Sequence, residues 1–283
     1  MSMTINDGFD ESQVRHVGIA TRGPNGSWQV ARGHRGHQIT MSYESAVARG
    51  MIDGAEAWSA YGERTTSGAE SNILWPNGTY ALPSAAGVQP SLKSSSPNDT
   101  AAGTGVRTVD VHYLDTNLTR QLENVALNGA TDVPMVTTDV RFIECLHMRT
   151  YGSGKAASGT IDCHVGAQVY SQIVAGGVRC SSSVRMTPAG KRAVITGMYG
   201  GAISGAAAAS VKMYMATCHF DGHDYTADSI FFPIGAGAFQ DGSGGMTFDP
   251  PLVFEEGAAF AMSFVTDKAG TIVGSWFGYL EDV

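Results

Sequence analysis

The residues of this chain best suited by type and spacing to do chemistry are Cys218, His219 and His223, with Asp221 and Asp224 beside them. Thiolate, imidazole and carboxylate are zinc-ligand types, and four such groups could close a tetrahedral site. On a helix the two histidines would share a face. Here the preceding apolar run reads as a strand and the residues enter a Gly-containing turn, so a polar hairpin tip explains the same residues. No metal is expected. Cys163-His164 is a weaker signal of the same kind, with no second spaced pair.

Two glycine-rich runs test for phosphate binding. Gly103-Thr-Gly105 precedes a strand pattern rather than opening a helix, so its amides lack the helix N-terminus that cradles a pyrophosphate. Gly152-Ser-Gly154-Lys155 has no upstream P-loop glycine, and Ala156 stands where Ser or Thr would reach magnesium. The acidic pair Glu255-Glu256 could serve a glycosidase, but neighbours on a strand point to opposite faces and this pair reads as a solvated strand end. A Gly-x-Ser-x-Gly elbow does not occur. No catalytic residue, cofactor-binding residue or metal ligand is therefore assigned, and the chain is expected not to be an enzyme.

The elements around these runs are strands. Val109, Val111 and Tyr113 alternate with Asp110 and His112, as a half-buried strand requires. Asn128-Gly129 follows Val125 and Leu127, a pair that tolerates positive φ and signals a turn. Further apolar runs fall at 136–151, 160–165, 168–175, 178–187, 193–198, 211–219, 230–234, 246–248, 259–265 and 271–280. Recurrence about every ten residues favours a sandwich or barrel over an α/β fold. Residues 43–60 hold the one helical stretch, interrupted by Gly50 and Gly54 and good for short turns only.

The expected architecture is mostly β, with two antiparallel, jelly-roll-like β-sandwich domains preceded by an irregular N-terminal anchoring segment. Residues 1–80 form the anchor, 81–190 the first β domain and 191–283 the C-terminal sandwich. The first segment holds Trp28, Trp58 and Trp75 among Gly, Ser and Asn without a continuous strand pattern, and so has little core of its own. The Gly/Ala-rich run 200–209 is read as a separator between two strand groups.

The last two strands carry the strongest hint of a partner. In Phe260-Ala-Met262-Ser-Phe264 one face is bulky, while Ala261 and Ser263 make the other flat enough to accept a neighbour. In 272–280, Ile272, Trp276 and Leu280 occupy one face and Val273, Phe277 and Tyr279 the other. A sheet with large apolar groups on both sides needs a partner domain or subunit.

Composition narrows the function classes. Charged residues are 16% of the chain, against a usual value of about 25%, and glycine occupies 36 of 283 positions. Much of the surface must be uncharged and turn-rich. A net charge of −8 without a basic cluster argues against coating nucleic acid. No run approaches the ~20 apolar residues of a membrane helix. The polar, acidic start at Met1 to Glu11 has no secretory signature, so synthesis in the cytosol is expected. The sequons at Asn25, Asn77, Asn98 and Asn117 read as accidental in that setting, and Cys145, Cys163, Cys180 and Cys218 as reduced core residues.

One run resembles a known family. Ser94-Ser-Ser-Pro-Asn-Asp99-Thr-Ala-Ala-Gly103-Thr-Gly105-Val-Arg107-Thr-Val109 is similar to the Ser-Ser-x-x-Asp-Thr-x-x-Gly-Thr-Gly-x-Arg-x-Val run of tailed-bacteriophage virion structural proteins. The chain continues in that style with Leu114-Asp115, Glu123-x-Val-x-Leu127-Asn128-Gly129, Gly152-Ser-Gly154 and Gly159-Thr-Ile161. Upstream, Trp75-x-x-Gly78-x-Tyr80 has a counterpart too. The resemblance spans residues 70–200 and implies a head-fibre, tail-fibre or decoration protein, located in the virion and made in the host bacterial cytoplasm. It implies no catalytic residue. Asp99, Thr100 and the glycines read as a turn that opens the strand from 106, a fold marker rather than a binding site.

The expectation that follows is an oligomeric accessory virion protein, a spike, fibre base or decoration, with a homotrimer as the form common to phage fibres. Its partners would be further copies of itself and other proteins of the capsid or tail. Trp58, Tyr61, Trp75, Tyr80, Trp276, Phe277 and Tyr279 are the candidate assembly anchors, since aromatic side chains dominate interface energetics; each could equally be plain core. The rival reading is a module that binds a host-surface glycan through exposed aromatics, and a glycan-degrading enzyme is the third.

Overall fold

The structure, a computed structural model, describes residues 4–5, 18–22, 28–34, 37–203, 210–217, 219–220, 223–224, 232–240 and 243–283. As expected it is mostly β. Every named strand pair is antiparallel, and the one helix among the described residues is Tyr43–Ala48.

Two sheets come from the first half. One, the meander sheet, orders Val140–Tyr151, Val106–Asp115 and Arg120–Ala126. The other orders Val133–Pro134, Ser91–Ser94, Ile161–Val165 and Gln168–Ile173. Val109, Val111 and Tyr113 are buried as their alternation demanded, and they share a core with Leu92, Ile161 and Ile173.

Two more sheets come largely from the second half. The inner sheet runs Arg185–Met186, Ala259–Thr266, Ser210–Thr217 and Phe232–Gln240, with Glu70–Ile73 also paired to Ala259–Thr266. The tryptophan sheet, named for Trp58 and Trp276, orders Ser243–Phe254, Lys191–Ile203, Gly270–Asp282 and Ala55–Thr66. Phe260, Met262 and Phe264 lie fully buried between the two, against Ile272, Trp276 and Leu280.

Two separate sandwiches do not stand out, because a third core ties the halves together. Ile73, Trp75, Tyr80 and Leu82 pack there with Leu114 and Phe142 from the first half, and with Met186, Ala259 and Ala261 from the inner sheet. The flat face at Ala261 does accept a neighbour, and that neighbour is this chain's own Trp75 region. Small side chains let the third core approach the strand closely while Phe260, Met262 and Phe264 fill the other side.

Residues 43–80 carry more regular structure than their composition suggested. Ala55–Thr66 pairs along its whole length with Gly270–Asp282. Its inward positions are Trp58, Ala60, Gly62, Arg64 and Thr66, so the period of two is real but mostly lacks large apolar residues to display it. Residues 43–60 are thus a six-residue helix followed by a strand. Ser42 caps the helix, its Oγ accepting the Ser45 amide at 3.2 Å, and Gly50, at φ 65°, helps to end it. Before it, Thr4–Ile5, Gly18–Arg22, Trp28–His34 and His37–Ser42 form an antiparallel meander of their own.

Two further expectations change. Lys191–Ile203 is one continuous strand, so residues 200–203 belong to a sheet rather than a separator. Cys145 and Cys180 are joined in a disulfide, with Cα atoms 5.6 Å apart, and are not reduced. The Cys180 amide donates to the Leu146 carbonyl at 2.9 Å, which brings 178–180 alongside the strand carrying Cys145. Cys163 is free and buried, and burial pushes its thiol pKa up. Cys218 lies outside the described residues.

Candidate functional site

The run 94–109 folds around the carboxylate of Asp99, which is fully buried. Its Oδ1 accepts the amides of Val106 at 2.8 Å and Ser158 at 3.0 Å. Its Oδ2 accepts the Ser94 hydroxyl at 2.5 Å and the Gly159 amide at 2.9 Å. Four donors from three distant stretches replace the water that a buried charge has lost. Gly105 is needed because a Cβ there would stand 2.0 Å from Asp99 Oδ1; one at Gly159 would meet the Ser96 amide nitrogen at 2.5 Å.

The other segments of the family-like pattern converge on the same place. Gly129 donates to the Asp99 carbonyl, Ser94 to the Gly129 carbonyl and Ser95 to the Thr160 carbonyl. Gly152 donates to Gly105 and Gly154 to Thr104. The Gly103 and Gly105 amides donate to the Thr100 and Asn98 carbonyls, so the glycine amides of both runs are spent inside the fold and are not offered to a phosphate. Trp75, Gly78 and Tyr80 form a comparable knot in the third core. Trp75 Nε1 donates to the Gly78 carbonyl at 2.8 Å, and the Trp75 and Tyr80 rings meet edge to face at 5.1 Å. The whole pattern positions backbone.

The seven candidate anchors divide into two groups. Trp75, Tyr80 and Trp276 are essentially fully buried, and Trp276 Nε1 donates to the Ser183 carbonyl at 2.8 Å. They serve the cores and cannot reach a partner in this conformation. Trp58 is partly buried among them, edge to face with Trp276 at 5.2 Å and Phe260 at 5.6 Å, with the Arg120 guanidinium 5.8 Å from its ring. Arg120 also pairs with Glu56 at 2.6 Å and Glu144 at 3.4 Å, linking the meander sheet to the tryptophan sheet.

Tyr61, Phe277 and Tyr279 lie on the opposite, outer face of the tryptophan sheet. Sequence reading missed the residues that complete this face. Tyr199 is 59% exposed and stacks on Phe277 at 5.4 Å; Ile203 and Val253 are 67% and 50% exposed. Strand alternation could have found Tyr199 and Ile203 had the Gly-rich run to 203 been read as strand, and Val253 had the strand at 246–248 been carried on to 254. Gly245, paired with Tyr199, leaves room for its ring, since a Cβ there would stand 2.2 Å from it.

Charge sits at the rim of this face. Arg192 pairs with Glu281 at 2.7 Å and Lys191 with Asp282 at 2.5 Å. The Tyr61 hydroxyl donates to Glu63 at 2.8 Å; burial first, then this bond, push its pKa up to about 12. Tyr43 of the helix meets Tyr279 edge to face at 5.2 Å, and burial followed by the Glu281 charge raises the Tyr279 pKa well above its ordinary value. Beside them lies a cleft of about 340 Å³ lined by Tyr43, Asp53, Gly54, Ala55, Glu281 and Asp282.

The metal-like run falls largely outside the described residues, including Cys218 and Asp221. His219–Phe220 and His223–Asp224 form a two-stranded ribbon in which His219 pairs with Asp224 and Phe220 with His223. Among the described residues no group of three or more His, Cys, Asp or Glu is placed to hold a metal. Glu255 and Glu256 are exposed, and Glu256 accepts the Gly190 amide at 2.8 Å. Among the described residues no helix is long and apolar enough to cross a membrane.

The fold and this face define an antiparallel, mostly β protein with an uncharged aromatic sheet surface. No family model matches the chain, and no curated protein matches it in sequence. A chain of the crystallised T13 IBDV viral particle is similar over 100% of this chain and 72% of its own length, at 13% identity and a TM-score of 0.19. A superposition that loose carries no argument about fold or function.

Proposed function

We propose that this chain is a non-catalytic, self-assembling structural protein of a tailed-phage particle, an accessory component of spike, fibre-base or decoration type. The observation that carries the assembly half of this reading is the outer face of the tryptophan sheet. Tyr199, Ile203 and Val253 are half or more exposed there, around Phe277 and Tyr279. A monomer gains nothing from a contiguous apolar sheet face in water, whereas an interface is built from such groups. The particle location rests on the resemblance of residues 70–200, whose pattern residues the fold uses to hold backbone rather than to bind ligand.

Light scattering on the purified chain tests assembly, and a defined oligomer is expected. A clean monomer at micromolar concentration overturns the reading. Labelling the chain within intact particles tests location, with a fixed copy number expected in virions and absence from them counting against it. The exposed Tyr199 ring stacked on Phe277 supports one rival, a glycan-binding platform. Binding on a glycan array that is lost in Tyr199→Ala, from a protein that stays monomeric, would favour that rival.

A further inference from the structure

The connector 178–187 leaves the first half of the fold by lying along the strand Val140–Tyr151. The Met148 amide donates to the Val178 carbonyl and the Cys180 amide to the Leu146 carbonyl, each at 2.9 Å, with His147 and Arg179 paired between these two bonds. The Cys145–Cys180 disulfide tethers the same contact. Beyond it the connector enters the second half, where the Ser183 amide donates to the Leu74 carbonyl at 3.1 Å and Arg185–Met186 joins the inner sheet.

Two histidines meet where the connector is laid down. Pairing sets His112 opposite Cys145 and Asp110 opposite His147, and the two imidazoles stand edge to face with ring centroids 5.0 Å apart. The charge around them is already cationic. Arg179 and Arg185 come from the connector, Arg149 from the strand Val140–Tyr151 and Arg120 from the third strand of the meander sheet, against Asp110, Glu144 and Glu56. The carboxylates are engaged. Asp110 Oδ1 accepts the Asn124 side-chain amide at 2.7 Å and its Oδ2 lies 3.6 Å from Arg149, while Arg120 pairs with both Glu144 and Glu56. Arg185 is buried, and its guanidinium donates to the Ser182 and Val184 carbonyls at 3.1 and 2.6 Å, neutral acceptors that solvate the charge without cancelling it.

From this cluster we infer that His112 and His147 form an acid-sensitive seam, whose joint protonation loosens the grip of the meander sheet on the connector between the two halves. Two added positive charges would fall at one point of a contact where guanidiniums outnumber carboxylates, in surroundings that screen charge less than water does. Imidazole is the side chain that makes this change between about pH 5 and 8. The His147 pKa is held below its ordinary value, by burial first and then by His112, Arg179 and Arg185, with Asp110 acting the other way. For such a base the stabilisation is complete above the unfolded value and is lost as pH falls through the folded one. Loosening therefore belongs to mild acid, and the disulfide keeps the connector tethered while the backbone contact opens. The seam lies within one chain and is independent of the proposed assembly.

The disulfide itself supplies the probe, because Cys145 and Cys180 are both buried and Cys180 is part of the connector. A water-soluble phosphine reduces a disulfide to two thiols while taking up an oxygen from water, and it works in acid as well as at neutrality. Rates on the full-length chain at about pH 7.5 and about pH 5.5, either side of the imidazole range, are each divided by the rate for the same chain unfolded in urea, which removes the reagent's own pH dependence. The wild-type ratio should rise several-fold in acid, and that of His112→Gln/His147→Gln should not change. Arg179 is exposed, so Arg179→Gln should keep the fold and show a smaller rise than the wild type. A wild-type ratio that does not rise overturns the seam, as does an equal rise in the double-histidine variant. Where circular dichroism shows that the double variant does not fold, Arg179→Gln decides, and a rise equal to that of the wild type overturns the seam.

Discussion

Asp99 shows how one side chain can hold a loop-rich region together. Its four donors come from residues 94, 106, 158 and 159, so the carboxylate ties the ends of the paired strands Ser91–Ser94 and Ile161–Val165 to the start of the strand Val106–Asp115. Hydrogen bonds to a charged acceptor contribute about 1.5–3 kcal/mol each, and buried donors left unmatched are costly. Asp99→Asn puts an amide group against donors on one side of the site. It should lower stability by about 2–4 kcal/mol in urea unfolding, and a loss under half a kilocalorie would show that the node does not hold these stretches. Asp115 gives a pH-dependent counterpart. Burial, the largest influence, would raise its pKa, but hydrogen bonds from Thr119, Gln121 and Asn117 outweigh it and hold the carboxyl below its ordinary 3.8. A depressed folded-state value means its stabilisation is complete above the unfolded value and is lost as pH falls through the folded one. The stability gap between wild type and Asp115→Asn should therefore be widest near neutrality and narrow in acid, and a gap constant with pH would refute the assignment.

At the scale of the element, the strand Gly270–Asp282 explains both why the tryptophan sheet forms and why it is left incomplete. Its inward residues Ile272, Trp276 and Leu280 are fully buried, with Gly274 and Gly278 between them. The two glycines face different surroundings. A Cβ at Gly278 would meet the Val194 carbonyl oxygen at 2.0 Å, whereas one at Gly274 would meet the ends of the Met213, Met262 and Leu74 side chains at 2.8–2.9 Å. Backbone cannot yield without breaking the pairing, while methionine side chains adapt. Gly278→Ala should thus cost about 3 kcal/mol or more and Gly274→Ala about 1 kcal/mol or less. Thermal melts of the two variants check this, and equal losses would show that the strand, rather than its neighbours, absorbs the change.

For the whole molecule, the main question is where the body begins. Ala55–Thr66 is an edge strand of the tryptophan sheet, Glu70–Ile73 joins the inner sheet, and Trp75 and Tyr80 fill the third core. Deleting residues 1–42 leaves all four body sheets complete and should yield a cooperatively folding β protein. Deleting 1–80 strips two strands and two of the largest buried side chains, and should yield an aggregating product, since removing one large aromatic from a core already costs about 3–5 kcal/mol. Circular dichroism and thermal unfolding of both truncations decide the matter; a well-folded 81–283 fragment would show that the third core is dispensable.

The local pattern of residues was enough to read the antiparallel β class, the strands at 106–115, 259–266 and 270–282, and the two-sided character of the last. These depend on alternation, which the backbone imposes on neighbouring side chains whatever the tertiary context. Tertiary structure alone decided the rest. It made Ala55–Thr66 a strand whose inward face is largely small or polar, and joined Cys145 to Cys180. It also turned scattered motif fragments into one node around Asp99. Each of these rests on contacts between residues far apart in the chain. Which of seven aromatics face a core and which face outward depends on what lies across the sheet, and that is set by the neighbouring strands rather than by the residues themselves.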